Sequence, residues 1–329
     1  MKHMALDTHA EFCVLSVRDA RLNEMDIKRI PTQAPALIEA VKVYRGPKTL
    51  VVEESNLASW FKQVLEPHVS RFMVCNPKKN RSVSEAEDKD DVVDARELSY
   101  LLGMNYLEEV HHPSEPRQRF KDLVLHYHRL TTGTARCKIQ INAKLREQGI
   151  RLQSYNIEDL QEDLHPLKKL ELQDLHELLD VARKVKANVH ARLEKEARKH
   201  VQIQRFVEVP GIGIHHASTF YAIVDTPFRF KRRAKLWTYC GLGLKTRGSG
   251  GRVYRQKRGQ EFNRYLKSAM MRAALVAIRR KDDNTYKRRY SRLLDRGADR
   301  RDAQTVIARS IATTMWGMWR SGERFNPDI

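Results

Sequence analysis

Asp91-Val92-Val93-Asp94-Ala95-Arg96-Glu97-Leu98 decides how the first third of the chain is read. Its helical periodicity places Asp91 and Asp94, three residues apart, on one helix face. Upstream, Met4-Ala5-Leu6-Asp7 and Thr49-Leu50-Val51-Val52-Glu53 are apolar runs that each end in an acid. Phe12–Val17 and Arg71–Cys75 have the apolar and β-branched content of buried strands, and a weaker strand is predicted near Met25–Ile30. Helical spacing falls between them, at Ala34–Tyr44 and Leu57–Leu65. Strands alternating with helices predict an α/β domain with a largely parallel core. Sites in such sheets gather at the carboxyl ends of strands, where Asp7 and Glu53 fall. Two strand-end acids and two from one helix face can converge on a point. Carboxylates packed together repel unless a cation neutralises them, and hard oxygen ligands select Mg²⁺ or Mn²⁺. Spacing alone also permits the plainer reading, in which these are turn, cap and solvated surface acids.

The composition points to a polyanionic partner. The 329 residues carry 61 Lys+Arg against 41 Asp+Glu, a formal net charge of +20. Nucleic acid is the leading candidate for such an excess. The four cysteines, Cys13, Cys75, Cys137 and Cys240, are scattered, with no zinc-type spacing. They fit a reducing, cytoplasmic setting. No apolar run follows a basic start, which predicts no signal peptide, and no segment has the length to span a bilayer.

Lys78–Asp90 is polar and charged and predicts a mobile loop. Pro113–Gly149 then reads as one long helix, with apolar residues from Phe120 to Leu145. A polar break at Gln153–Asp163 separates it from a second helix, about Leu167 to His200. There Leu172, Leu175, Leu179, Ala182, Lys186, Val189 and Leu193 step by three and four, a heptad seam with one basic interruption. Two such helices can close on each other as a hairpin or pair with another subunit.

Pro210-Gly211-Ile212-Gly213 lies between two helical runs and resembles the helix-hairpin-helix turn that contacts DNA backbone. Phe228–Trp237 interleaves cations with aromatics. Its plainer reading sends the aromatics to the core and the cations outward. Thr246-Arg247-Gly248-Ser249-Gly250-Gly251-Arg252 places one hydroxyl among three glycines, between arginines. Backbone amides in a glycine-rich turn can cradle an anion, and Arg247 and Arg252 add donor forks for phosphate. Ser249 in that setting reads either as a nucleophile for a phosphodiester or as part of a basic loop touching DNA. Lys257 and Arg258 continue the positive charge. Helices are predicted over Phe262–Ala277 and Ala303–Trp319, with another around Tyr286, Tyr290 and Leu293.

The order strand-Asp7, hairpin, helix, strand-Glu53, helix, strand, Asp91-x-x-Asp94 helix resembles the ribonuclease-H-like core of RuvC-type resolvases. Taken with Pro210–Gly213, Gly241-Leu242, Ser249-Gly250-Gly251 and Lys257-Arg258-Gly259, the whole chain resembles the DEDD transposases of bridge-RNA-guided insertion sequences, relatives of the Piv invertases. The resemblance implies a RuvC-like domain over residues 1–105, a helical coiled-coil region over 106–205 and a helical C-terminal transposase domain over 206–329. It implies that Asp7, Glu53, Asp91 and Asp94 bind Mg²⁺ or Mn²⁺ and that Ser249 is the nucleophile. Arg247, Arg252, Pro210, Gly211, Gly213, Lys257 and Arg258 would contact nucleic acid. Donor and target DNA, a structured guide RNA and a dimer or tetramer of this chain are the implied partners. The rival expectation is a metal-dependent DNA or branched-junction endonuclease that uses the acids alone.

Overall fold

The computed structural model describes residues 1–76, 90–150, 164–249, 252–258 and 262–327, with backbone alone at 244–249 and 252–258. The expected loop over Lys78–Asp90, apart from Asp90, and the break at Gln153–Asp163 lie outside the described residues. The chain forms two compact units, Met1–Glu115 and Pro116–Ile329.

In the first unit β1 (Lys2–Thr8), β2 (Phe12–Arg18), β3 (Glu24–Pro31), β4 (Lys48–Glu53) and β5 (Arg71–Cys75) make one sheet in the order β3-β2-β1-β4-β5. β4 runs parallel to β1 and β5, whereas β2 runs antiparallel to β1 and β3. The parallel core is therefore three strands wide, and an antiparallel hairpin extends it on one side. Side chains alternate between faces along a strand. Met4, Leu6, Leu50 and Val52 pack with α1 (Ala34–Lys42) and α2 (Ala58–Leu65) through residues such as Leu37 and Phe61. Ala5, Val51 and Met73 face the other way, against Leu98 and Leu102 of α3 (Asp91–Gly103). Both faces are covered, which is why these strands read as unbroken apolar runs.

α3 is held in place by specific polar contacts. Asp90 caps it, its Oδ1 accepting from the Val92 amide at 3.1 Å. Buried Ser99 meets Ser16 of β2 at 2.9 Å and accepts from Arg18 Nε at 3.0 Å. These bonds fix the rotation of α3 over the sheet, and so the direction in which its first turn points.

The second unit is helical apart from one hairpin. α4 (Glu115–Glu147) and α5 (Pro166–Ala197) share a core of Cys137, Ile141, Leu145, Leu172 and Leu179, so within one chain they pack as a helical hairpin. At its other end the pair joins the main core through Phe120, Val124, Leu193 and Ala197. That core is built from α6 (Val201–Val207), α7 (Ile214–Val224), α8 (Arg233–Tyr239), α9 (Arg264–Arg279), α10 (Thr285–Asp295) and α11 (Arg300–Ser321). α11 contributes Ile307, Ala308, Ile311, Ala312 and Met315, all fully buried. The stretch expected to be a serine loop instead enters a two-stranded antiparallel ribbon, β6 (Leu244–Ser249) with β7 (Arg252–Arg258). Of the glycines that suggested a loop, Gly248 lies within β6, and Gly250 and Gly251 lie outside the described residues.

Gly211 has a packing role that its sequence context did not announce. Its φ is +88°, and a Cβ there would sit 2.2 Å from the Ala273 carbonyl oxygen of α9. Gly211→Ala combines a left-handed backbone with a clash against main chain. It is expected to cost about 3 kcal/mol in urea unfolding, while Gly213→Ala, with open space around it, changes far less.

Candidate active site

The register of the first sheet explains why its acids converge. Asp7 follows Ala5 by two residues and Glu53 follows Val51 by two, so both acids belong to the face that α3 covers. Leu6 pairs with Val52 across the parallel ladder, which sets Asp7 and Glu53 next to each other at the carboxyl edge. Asp91 and Asp94 stand in the first turn of α3, above that edge. Carboxylates are favoured at a helix N-terminus, where unpaired amides leave partial positive charge.

Asp7 is more enclosed than Asp91 and Asp94. Burial pushes its carboxyl above the usual range, the hydrogen bond and charge of His9 pull it back, and Asp91 and Asp94 push it up again. His9 Nε2 stands 2.8 Å from Asp7 Oδ2 and 3.2 Å from Asp91 Oδ1. An ionised carboxylate only accepts hydrogen bonds, so this nitrogen donates to Asp7 and stands within ion-pair distance of Asp91. The imidazole is itself stacked on Phe12, ring centroids 5.0 Å apart. Asp7, His9 and Asp91 each offer one ligand atom within 4.8 Å of the others. Asp94 lies within electrostatic reach of Asp7. Glu53 is half-buried beside the group and engaged with neighbouring groups, outside that tight triad. Sequence reading missed His9. The available signal was its spacing, two residues beyond Asp7 on the same strand exit.

The second set of predicted residues lies in the other unit. Ser249 is the last residue of β6 and pairs with Arg252 at the start of β7. Gly250 and Gly251 lie outside the described residues. Arg247 pairs with Arg255 and Lys245 with Lys257, while Arg258 pairs with Leu244. Like charges directly opposite each other destabilise a ladder, and a lone two-stranded ribbon is marginal to begin with. An irregularity between Arg247 and Gly248 shifts the register just before the serine. Bulges of this kind re-aim a strand and occur often beside functional sites.

The root of the ribbon is built firmly. Gly241 has φ +66°, and a Cβ on it would strike the Phe262 ring at 2.6 Å. The Asn263 amide donates to Tyr239 O at 2.9 Å, and Arg309 Nε donates to Leu242 O at 2.7 Å. Asn263 also caps α9, its Oδ1 accepting from the Tyr265 and Leu266 amides. The Pro210–Gly213 turn connects α6 to α7, with Gly213 exposed as the N-cap of α7 and Gly211 buried against α9. Of the mixed stretch from Phe228 to Trp237, Phe230 is buried as expected, but Phe228 is 71% exposed. A further basic surface went unread: Arg288, Arg289, Arg292 and Arg296 line one open concavity along α10.

Residues 203–291 match the model of a family described as the Transposase IS116/IS110/IS902 family. That span runs from α6 through the Pro210–Gly213 turn and the basic ribbon into α10, and the acids of the first unit lie outside it. Over 140 residues, 43% of this chain, the sequence is 27% identical to the "Insertion element IS110 uncharacterized 43.6 kDa protein" of Streptomyces coelicolor, and the match spans 33% of that protein. The part that carries Ser249 and its surrounding cations is thus similar to this transposase family.

Proposed function

We propose that this protein is a DNA transposase of an insertion sequence, cutting and rejoining strands through a phosphoserine link at Ser249. The observation that carries this reading is the family match over 203–291, because it encloses the serine-bearing basic ribbon. The acid cluster at the edge of the β3-β2-β1-β4-β5 sheet is assigned the second half of the chemistry.

The residues present fit a hard divalent ion. Asp7, Glu53, Asp91 and Asp94 are oxygen donors, and the raised Asp7 carboxyl reflects burial and like-charge crowding that a cation would relieve. Bound there, Mg²⁺ or Mn²⁺ supplies electrostatic stabilisation to a phosphate undergoing displacement. Ser249 Oγ forms a bond to phosphorus, and the bond from phosphorus to one deoxyribose oxygen breaks. That oxygen leaves with a proton. In rejoining, a hydroxyl of the new partner strand attacks the phosphoserine and Ser249 is regenerated, so no external energy source is consumed. Arg247, Arg252, Lys257 and Arg258, with the amides of the Pro210–Gly213 turn, hold backbone phosphates. His9 keeps Asp7 and Asp91 oriented. The acids of one subunit serve the serine of another, and a structured guide RNA chooses the sequence while the protein reads backbone and shape.

Self-association has support on α5. Leu167, Leu170, Leu178, Val181 and Val185 are exposed on the helix, apart from the buried Leu172, Leu179, Val189 and Leu193. Leu167 and Leu170, then Leu178, Val181 and Val185, step by three and four, and Asp174 stands at the helical position between the two groups, so they mark a second, interrupted apolar stripe that the hairpin leaves uncovered. The paired change Leu178→Glu and Val181→Glu is expected to weaken self-association at least about tenfold in sedimentation equilibrium, with the monomer still folded.

The endonuclease alternative draws on one feature, that the acids converge within the first unit without the serine. Incubating the protein with the element's flanking noncoding RNA, donor DNA and Mg²⁺, then resolving the products on a denaturing gel, separates the two. The recombinase yields a protein–DNA adduct, and the hydrolase yields only free cut strands.

A further inference from the structure

We propose that His190 and Glu194 of α5 together with His215 of α7 form a binding site for a borderline transition ion of the Zn²⁺ class, distinct from the acid cluster of the first unit. His190 and Glu194 are four apart on one helix and therefore share a face. His215 comes from the first turn of the helix packed against that face. One ligand atom from each residue lies within 4.8 Å of the other two. His190 Nε2 and Glu194 Oε1 are 3.9 Å apart, and the two imidazole centroids 4.4 Å. Zinc bonds of about 2.0–2.2 Å in tetrahedral geometry put donor atoms roughly 3.3 Å apart, so small side-chain rotations close the site.

The chemistry of the donors selects the metal. Two imidazoles and one carboxylate match sets that hold Zn²⁺ with one position left open, whereas Mg²⁺ prefers all-oxygen shells. His215 Nδ1 is enclosed with no hydrogen-bond partner among the described residues. An enclosed ring nitrogen without a partner is costly unless something takes up its lone pair or its proton. Burial pushes His215 down to about 4, with His190, His216 and His128 adding to the shift and Glu194 opposing it. The imidazole is thus neutral and able to ligate at ordinary pH. Tyr127 of α4 lies flat on His215, centroids 4.6 Å apart at 7°, which limits the ring's rotation. The positive end of α7 works against a cation here, and the Glu194 carboxylate offsets it. An ion at this point would tie the α4–α5 hairpin to the helical core.

The test uses the full chain in millimolar Mg²⁺, so that the carboxylate cluster is already satisfied. Zn²⁺ is expected to bind one per chain and to raise the melting temperature by about 5–10 °C at a hundredfold excess over Kd. Co²⁺ in its place is expected to give the visible absorption of a four- or five-coordinate ion. His190→Ala and the near-isosteric Glu194→Gln should remove both signals, while Asp7→Asn keeps them. Glu194 is half-exposed, and circular dichroism confirms that its variant folds. No binding by the unaltered chain overturns the assignment. So do signals that survive in both α5 variants, or that vanish with Asp7→Asn.

Discussion

Ser249→Ala is expected to abolish the covalent protein–DNA adduct and to lower strand exchange at least about 10⁴-fold, roughly 5.5 kcal/mol of transition-state stabilisation. The reason is chemical. Alanine has no oxygen to attack phosphorus, and the other hydroxyls of the β6–β7 ribbon stand elsewhere on the ladder: Thr246 pairs with Gln256 nearer the root, and Tyr254 lies at the register shift of β7. Binding should hardly change, because the cations of the ribbon remain. A filter-binding isotherm measured beside the denaturing gel therefore separates loss of chemistry from loss of substrate. Strand cutting at undiminished rate by Ser249→Ala would sink the phosphoserine reading and leave the metal-dependent hydrolase in its place.

Asp7→Asn is expected to reduce activity roughly 10³-fold, about 4 kcal/mol, by removing the carboxylate that burial and its acidic neighbours Asp91 and Asp94 perturb. Its effect on stability should run the other way. The folded-state pKa of Asp7 is raised above its unfolded value, so the folded chain holds this proton more tightly. Stability is then lost as pH climbs through the unfolded value toward the folded one, and at neutral pH the ionised group works against the fold. Asparagine has no such charge. Without metal the variant should melt no lower than the unaltered chain, and Mg²⁺ should raise the melting temperature of the unaltered chain alone. A variant that is inactive because it is misfolded would melt earlier, and differential scanning calorimetry distinguishes the two.

Much of the first unit was legible because its strands bury both faces. Leu50-Val51-Val52 and Phe72-Met73-Val74 are apolar throughout, and the acid that ends β4 marks where the sheet meets solvent. The gathering of Asp7 and Asp91 followed from strand-end and helix-face arguments. His9 did not, since its position depends on how the β1–β2 hairpin turns. Ser249 was set in a loop because glycine and serine dominate its neighbours. Strand character there comes from pairing with Arg252–Arg258, a long-range fact that local propensity does not carry. On α5 the seam through Leu172 and Leu179 stood out, but the second stripe was masked by interleaved charges such as Glu171 and Asp174. His190, Glu194 and His215 become neighbours only when α7 folds back onto α5. The role of Gly211 needed the position of Ala273, sixty-odd residues away.

The facing pairs Lys245–Lys257 and Arg247–Arg255 have a biological corollary. On the proposed reading of Ser249, a self-repelling ladder holds the serine to best effect only while phosphates lie beside its strands, since the polyanion cancels the repulsion that opposes pairing. High salt, which screens the same repulsion, would firm the ribbon while loosening its hold on the substrate, so the catalytic optimum should fall at an intermediate ionic strength and not at the lowest one.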